Sequence, residues 1–165
     1  METRILSTND PSALAAALDV LRHGGVIAFP TDTVYGVGAH AFQPEAVRQL
    51  YVAKNRPAEK AIPLLIASAA DLSLVAAEVP KIAWRLADRL WPGGLTLVVP
   101  RHPRVPDAVS SGPTVAVRGN MDRSLLLSAL PVFRLVCMGH SPYPYQRHLS
   151  ILETQKRPRA TRREA

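Results

Sequence analysis

A chain of 165 residues, 47% of them hydrophobic, can bury one sizeable core but not two full domains. Its single cysteine, Cys137, excludes an internal disulfide framework and fits a reducing compartment, and no apolar run reaches the roughly 18 to 20 residues that a membrane-spanning helix needs. The net charge of +7 raises nucleic acid as a partner, yet residues 1–118 hold 12 Lys/Arg against 10 Asp/Glu and residues 119–165 hold 8 against 3, so the basicity belongs mainly to the tail.

The first ten residues, METRILSTND, are polar and lack the basic-then-apolar order of a signal peptide, which makes a cytoplasmic protein the expectation. Asn9 or Asp10 caps a helix that begins at Pro11, carries a Leu14, Leu18, Leu21 stripe and stops at Gly24-Gly25. Residues 26–29 form a short apolar strand, the polar stretch after it reads as a loop, and Pro44-Glu45 opens a second helix through Val47, Leu50 and Tyr51. Residues 62–66 make a buried strand and residues 71–78 a short helix. Residues 80–90 then form an amphipathic helix with Ile82, Leu86 and Leu90 at helical spacing, broken by Trp91-Pro-Gly-Gly. Residues 95–99 and 114–117 are β-branched strands joined by the proline-rich RHPRVPDAVSSGP. Strands interleaved with helices argue for an α/β sheet with helix-covered faces.

In such sheets ligands bind at the carboxyl ends of strands. FPTDTVYGVG lies at one such end: Thr31 and Thr33 offer hydroxyls, Asp32 a carboxylate, and Gly36 and Gly38 allow close backbone approach, although a capped turn uses the same residue types. A second polar island, KNRPAEK, places Lys54, Arg56 and Lys60 in one short loop, a combination that suits polyphosphate or carboxylate as well as plain solubility. Arg118 ends the apolar run Val115, Ala116, Val117 and needs either an internal carboxylate or an anionic ligand, whereas Thr114 taken alone is an ordinary strand residue. Neither a dinucleotide fingerprint nor a Walker motif is present, the five histidines have no metal-ligand spacing, and Cys137 has no catalytic setting.

FPTDTVYGVG, YVAKNRPAEKAIPLLI, LWPGGLTLVVP and TVAVR, in this order and spacing, resemble the YrdC-like domain of threonylcarbamoyl-AMP synthases over about residues 10–118. The resemblance implies a twisted, open, mixed α/β sheet with helices on its faces and a positively charged concave surface. It implies a nucleotidyltransferase that makes threonylcarbamoyl-AMP and pyrophosphate from L-threonine, bicarbonate and ATP, with Mg²⁺, for the threonylcarbamoyl modification of adenosine 37 in tRNA. By the same resemblance Thr33 and Arg118 bind L-threonine, Arg118 through the carboxylate, Arg56, Lys60 and Thr114 contact the nucleotide, and Lys54 and Arg56 act in catalysis. No metal-ligating residue is assigned, and the downstream partner is the machinery that transfers the group to tRNA.

After Arg118 the resemblance stops: the Ser-Ala-Asn and Ser-Thr-Val-Val motifs expected of the family do not follow, and RGNMDRSLLLSALPVFRLVC onward changes in composition. We therefore divide the chain into a YrdC-like portion, 1–118, incomplete at its C-terminal end, and a divergent, basic, partly disordered tail, 119–165, in which SLLLSALPVFRLVC can supply a short helix and a strand. A shifted reading frame accounts for such a change. The other two frames of the coding DNA past codon 118 should then encode Ser-Ala-Asn and Ser-Thr-Val; their absence from both frames counts against the shift. Two further classes remain open: a non-catalytic module that binds tRNA or double-stranded RNA through the basic face, or an inactive shortened product. A carbamoyl-transfer domain is disfavoured, because no zinc-finger or acylphosphatase-like segment accompanies it.

Overall fold

A computed structural model describes residues 2–7, 9–30, 35–55, 57, 61–119, 135–136 and 148–153. In chain order these form β1 (Glu2–Ser7), α1 (Pro11–Arg22), β2 (Val26–Pro30), β3 (Tyr35–Ala39), α2 (Pro44–Ala53), β4 (Leu64–Ile66), a 3₁₀ helix (Ala69–Leu74), α3 (Lys81–Leu90), β5 (Thr96–Pro100), β6 (Thr114–Gly119), β7 (Leu135–Val136) and β8 (His148–Glu153). The fold is mixed α/β with open sheets, as expected. The strands fall into two sheets of four, ordered β1-β8-β2-β3 and β5-β6-β4-β7. Every pairing in the first sheet is antiparallel, while the second combines a parallel β4–β6 pair with antiparallel β5–β6 and β4–β7 pairs.

Helix α1 starts where its cap predicts. The Asp10 carboxylate accepts from the Ser12 backbone N–H at 2.8 Å and from the Ser12 hydroxyl at 2.7 Å, satisfying one of the donors that a helix start leaves without a partner. The hydroxyl first, then the backbone N–H, holds the Asp10 carboxyl below its usual range. A carboxylate with a lowered folded-state value stabilises the fold above its unfolded value, and that contribution disappears as pH falls through the folded value. Asp10→Ala should therefore lower the melting temperature at neutral pH, and thermal melts in increasingly acidic buffer should bring the two proteins together. At the other end, Gly24 adopts φ +79°, its N–H bonds the Leu21 carbonyl, and the Gly25 N–H reaches back to Val20 at 2.8 Å. A side chain on Gly24 would be strained there and would also meet Gln43 Oε1 at 2.9 Å.

Two helix faces differ from the leucine-based expectation. In α1 the buried residues are Ala13, Ala17, Val20 and Leu21, with Leu14 and Leu18 only half-buried. In α3 Ala83 and Ala87 are buried, Leu86 and Trp84 flank them, and Ile82 and Leu90 are 61% and 50% exposed. Alanine lets a helix axis approach a sheet closely, so the larger apolar side chains lie at the margin of each contact. Where residues 71–78 were expected to be helical, a 3₁₀ helix covers only Ala69–Leu74; the chain leaves it at Val75, and Ala76 bridges to Arg101 instead. The 3₁₀ helix is held by a capping box in which Ser68 and Asp71 bond each other's backbone.

Strands β1 and β3 were not anticipated. Tyr35–Ala39 pairs with β2 as a hairpin, with Gly36 opposite Phe29 and Gly38 opposite Ile27, so the stretch read as a loop after Pro30 is in large part a strand. The glycines bring no side chain to the face that Phe29 and Ile27 occupy, and both of those residues are buried in a cluster with Ala13, Ala17, Val20, Leu21 and Leu65. The larger cluster joins α2, β4 and the inner faces of β5 and β6, with Leu50, Leu64, Ile66 and Val117 fully buried. Removing one such leucine side chain from water contributes about 1.5–3 kcal/mol. The tail adds two strands: β8 between β1 and β2, and β7 beside β4. Leu135–Val136 is thus a strand within SLLLSALPVFRLVC, and the helix expected ahead of it lies outside the described residues.

Candidate functional site

Period-two alternation sorts β5 and β6 into an inner and an outer face. Leu97, Val99, Val115 and Val117 point into the main cluster. Thr96 stands opposite Arg118, Val98 opposite Ala116 and Pro100 opposite Thr114 on the other face, where Val98 is 67% exposed. Thr114 and Arg118 therefore share one open surface, separated by four strand residues or about 13 Å. Arg118 is half-buried, and its Nε–H donates to the Gly93 carbonyl at 3.4 Å. In the parallel pairing with β4, Arg118 lies beside Leu65, which belongs to the same cluster as Phe29. Arg118 thus stands on the side of the second sheet that faces β2, whose C-terminal end leads into the connection carrying Thr33.

Lys54 is placed on a different element. It caps the C-terminus of α2, where a cation complements the partial negative charge of the last carbonyls. Asn55 follows in the left-handed region at φ +47°, a conformation asparagine tolerates better than most residues, and its N–H bonds the Val52 carbonyl at 3.1 Å. The helix thereby ends abruptly and the chain turns into the KNRPAEK segment. Of the six residues expected at the site, Thr114 and Arg118 share one face of β6, and Lys54 is held at the C-terminal end of α2. Thr33, Arg56 and Lys60 lie outside the described residues.

Sequence reasoning passed over two contributors. Thr96 places a hydroxyl-bearing side chain in register with Arg118 on the open face, and the polar first residue of the alternating TLVVP was the available signal. Asn55 directly after a helix was the other, since a helix commonly ends on a residue in that conformation. Among the described residues no group of three His, Cys, Asp or Glu is placed to hold a metal ion, and no helix is long and apolar enough to cross a membrane.

A family model for Sua5/YciO/YrdC proteins, described as "Telomere recombination", matches residues 19–127. This chain belongs to the Sua5/YciO/YrdC family. The match takes in both site strands, the α2 end and the turn after α3, and it runs past Arg118, where the sequence motifs end. Within the family, the threonylcarbamoyl-AMP synthase of Pyrococcus abyssi is 47% identical over 103 residues, covering 62% of this chain and 30% of that relative. The threonylcarbamoyl-AMP synthase of Bacillus subtilis is 43% identical over 115 residues, covering 68% of this chain and 33% of that relative. The crystal structure of P. abyssi Sua5 complexed with L-threonine superposes with a TM-score of 0.70 at 41% identity, covering 76% of this chain and 37% of that one. Escherichia coli YciO shares the fold, with a TM-score of 0.67 at 21% identity over 80% of this chain and 65% of that one. The chain spans about a third of the length of these P. abyssi and B. subtilis relatives.

Proposed function

We propose that this chain is a threonylcarbamoyl-AMP synthase of the nucleotidyltransferase type, acting on L-threonine, bicarbonate and ATP in the cytoplasm to supply the threonylcarbamoyl group for tRNA modification. The observation that carries the reading is the shared open face of β6, on which Thr114 and a half-buried Arg118 stand four residues apart. An amino acid joined to a nucleotide can span that separation. The names of the P. abyssi and B. subtilis relatives, and the L-threonine in the P. abyssi complex, support the substrate assignment.

The chemistry needs no covalent enzyme intermediate. The threonine amine combines with bicarbonate to give a carbamate and water. A carbamate oxygen then attacks the α-phosphorus of ATP, a new P–O bond forms, the bond to the β-phosphate bridging oxygen breaks, and pyrophosphate leaves. Catalysis of this kind rests on positioning and charge neutralisation. Arg118 grips the threonine carboxylate with its planar fork, Thr33 contacts the amino acid, and Thr114 meets the nucleotide. Lys54 and Arg56 offset the charge that builds on the phosphates, with Lys60 beside them. Mg²⁺ would arrive on ATP as part of the substrate.

Pyrophosphate release by the purified 165-residue chain, measured with each substrate omitted in turn, tests the reading. Release that requires L-threonine, bicarbonate and ATP together is expected. Salt-dependent binding of tRNA or double-stranded RNA without turnover would instead make the chain a binding module.

A further inference from the structure

The turn after α3 reaches both faces of β6. On the inner face, the Trp91 ring lies so close to Gly119 that a Cβ there would fall 2.3 Å from Trp91 Cγ and 2.5 Å from Cδ2. The indole is fixed at its other edge, where Nε1–H donates to the Leu95 carbonyl at 2.7 Å and closes the turn on itself. On the outer face, the Gly93 carbonyl of the same turn accepts from Arg118 Nε. Gly93 is itself tightly enclosed, since a side chain there would come within 2.2 Å of the Leu90 carbonyl oxygen.

We propose that Trp91, seated on Gly119, is a positioning residue that sets the plane of the Arg118 guanidinium through the Gly93 carbonyl. Arg118 and Gly119 are neighbours whose side-chain directions oppose each other, so a turn that grips the glycine from inside is registered to the arginine outside. The contact engages the Nε edge of the guanidinium and so restrains rotation of its plane, and a set plane is what a two-point grip on a carboxylate requires. This inference rests on the proposed role of Arg118 toward L-threonine.

Gly119→Ala, made in the full chain, should displace the ring and with it the Gly93 carbonyl. Two measurements follow, neither depending on turnover. Solvent exchange of the Arg118 Nε–H, followed by NMR on ¹⁵N-labelled protein, should accelerate about tenfold, the scale of one lost hydrogen bond. The Kd for L-threonine, by calorimetry, should rise by about the same factor while that for ATP stays roughly constant. Adding Trp91→Ala to Gly119→Ala removes the clash, so the melting temperature should recover while weak threonine binding persists. Recovery of both together, or equal loss of threonine and ATP binding in Gly119→Ala, would overturn the positioning role and leave a purely structural contact. An unchanged Nε–H exchange rate would overturn it as well. Undiminished threonine binding in Arg118→Ala defeats the functional reading itself, whatever the turn does.

Discussion

Replacing Arg118 with alanine is expected to lower threonine-dependent pyrophosphate release by about 10²- to 10³-fold, the scale of deleting one preorganised electrostatic contact. The loss should appear as a higher KM for L-threonine together with a lower kcat, because a loosely held carboxylate also misplaces the carbamate oxygen relative to the α-phosphorus. Folding should be little affected, since Arg118 lies on the open face of β6 while Val115 and Val117 form the contacts to the core. Arg118→Lys keeps the charge without the planar fork and should restore only part of the rate. Steady-state kinetics with varied L-threonine at saturating ATP would decide the matter, and a variant with normal KM and kcat would remove Arg118 from the site.

Lys54→Ala should cost on the order of 10²-fold in the rate of pyrophosphate release, by the same electrostatic reasoning applied to the phosphates. Its kinetic signature differs. An ammonium that neutralises charge developing on the leaving pyrophosphate acts mainly on kcat and on the response to ATP, leaving the KM for L-threonine near its original value. Lys54 already sits at a helix C-terminus, half-buried and next to the left-handed Asn55, so its position is set by the way α2 ends. Asn55→Val, which resists that backbone conformation, should shift the loop and reproduce part of the Lys54 defect. Pyrophosphate release at wild-type rates by Lys54→Ala would sink the assignment.

Much of this arrangement was legible from residue order, for reasons that are local. Asp10, Pro11 and Gly24-Gly25 mark both ends of α1 through backbone chemistry confined to a few residues, and Pro44-Glu45 marks the start of α2 in the same way. The runs LTLVV and TVAVR read as strands because β-branched residues alternate or cluster within them, and Arg118 announced itself as a charge at the end of an apolar run. What stayed hidden depends on contacts between distant segments. The buried faces of α1 and α3 are chosen by how closely alanines can approach a sheet, and a leucine count cannot register that. Strand β3 was masked because its glycines lower strand propensity, although opposite Phe29 and Ile27 they leave the room those side chains fill. Thr33, Arg56 and Lys60 rest on family resemblance, since they lie outside the described residues.

The place of β8 bears on how the molecule is made. It pairs with β1 on one side, Ser7 meeting His148, and with β2 on the other, Val26 meeting Leu152. Helix α1 and the β2–β3 hairpin can form soon after they leave the ribosome, because their partners lie close by along the chain. The first sheet cannot close until His148–Glu153 has been synthesised, and until then the apolar VIAFP strand keeps one edge unpaired. Such long-range pairing makes folding slow and exposes the nascent chain to association through that edge. The yield of folded protein should thus rise with chaperone capacity during translation.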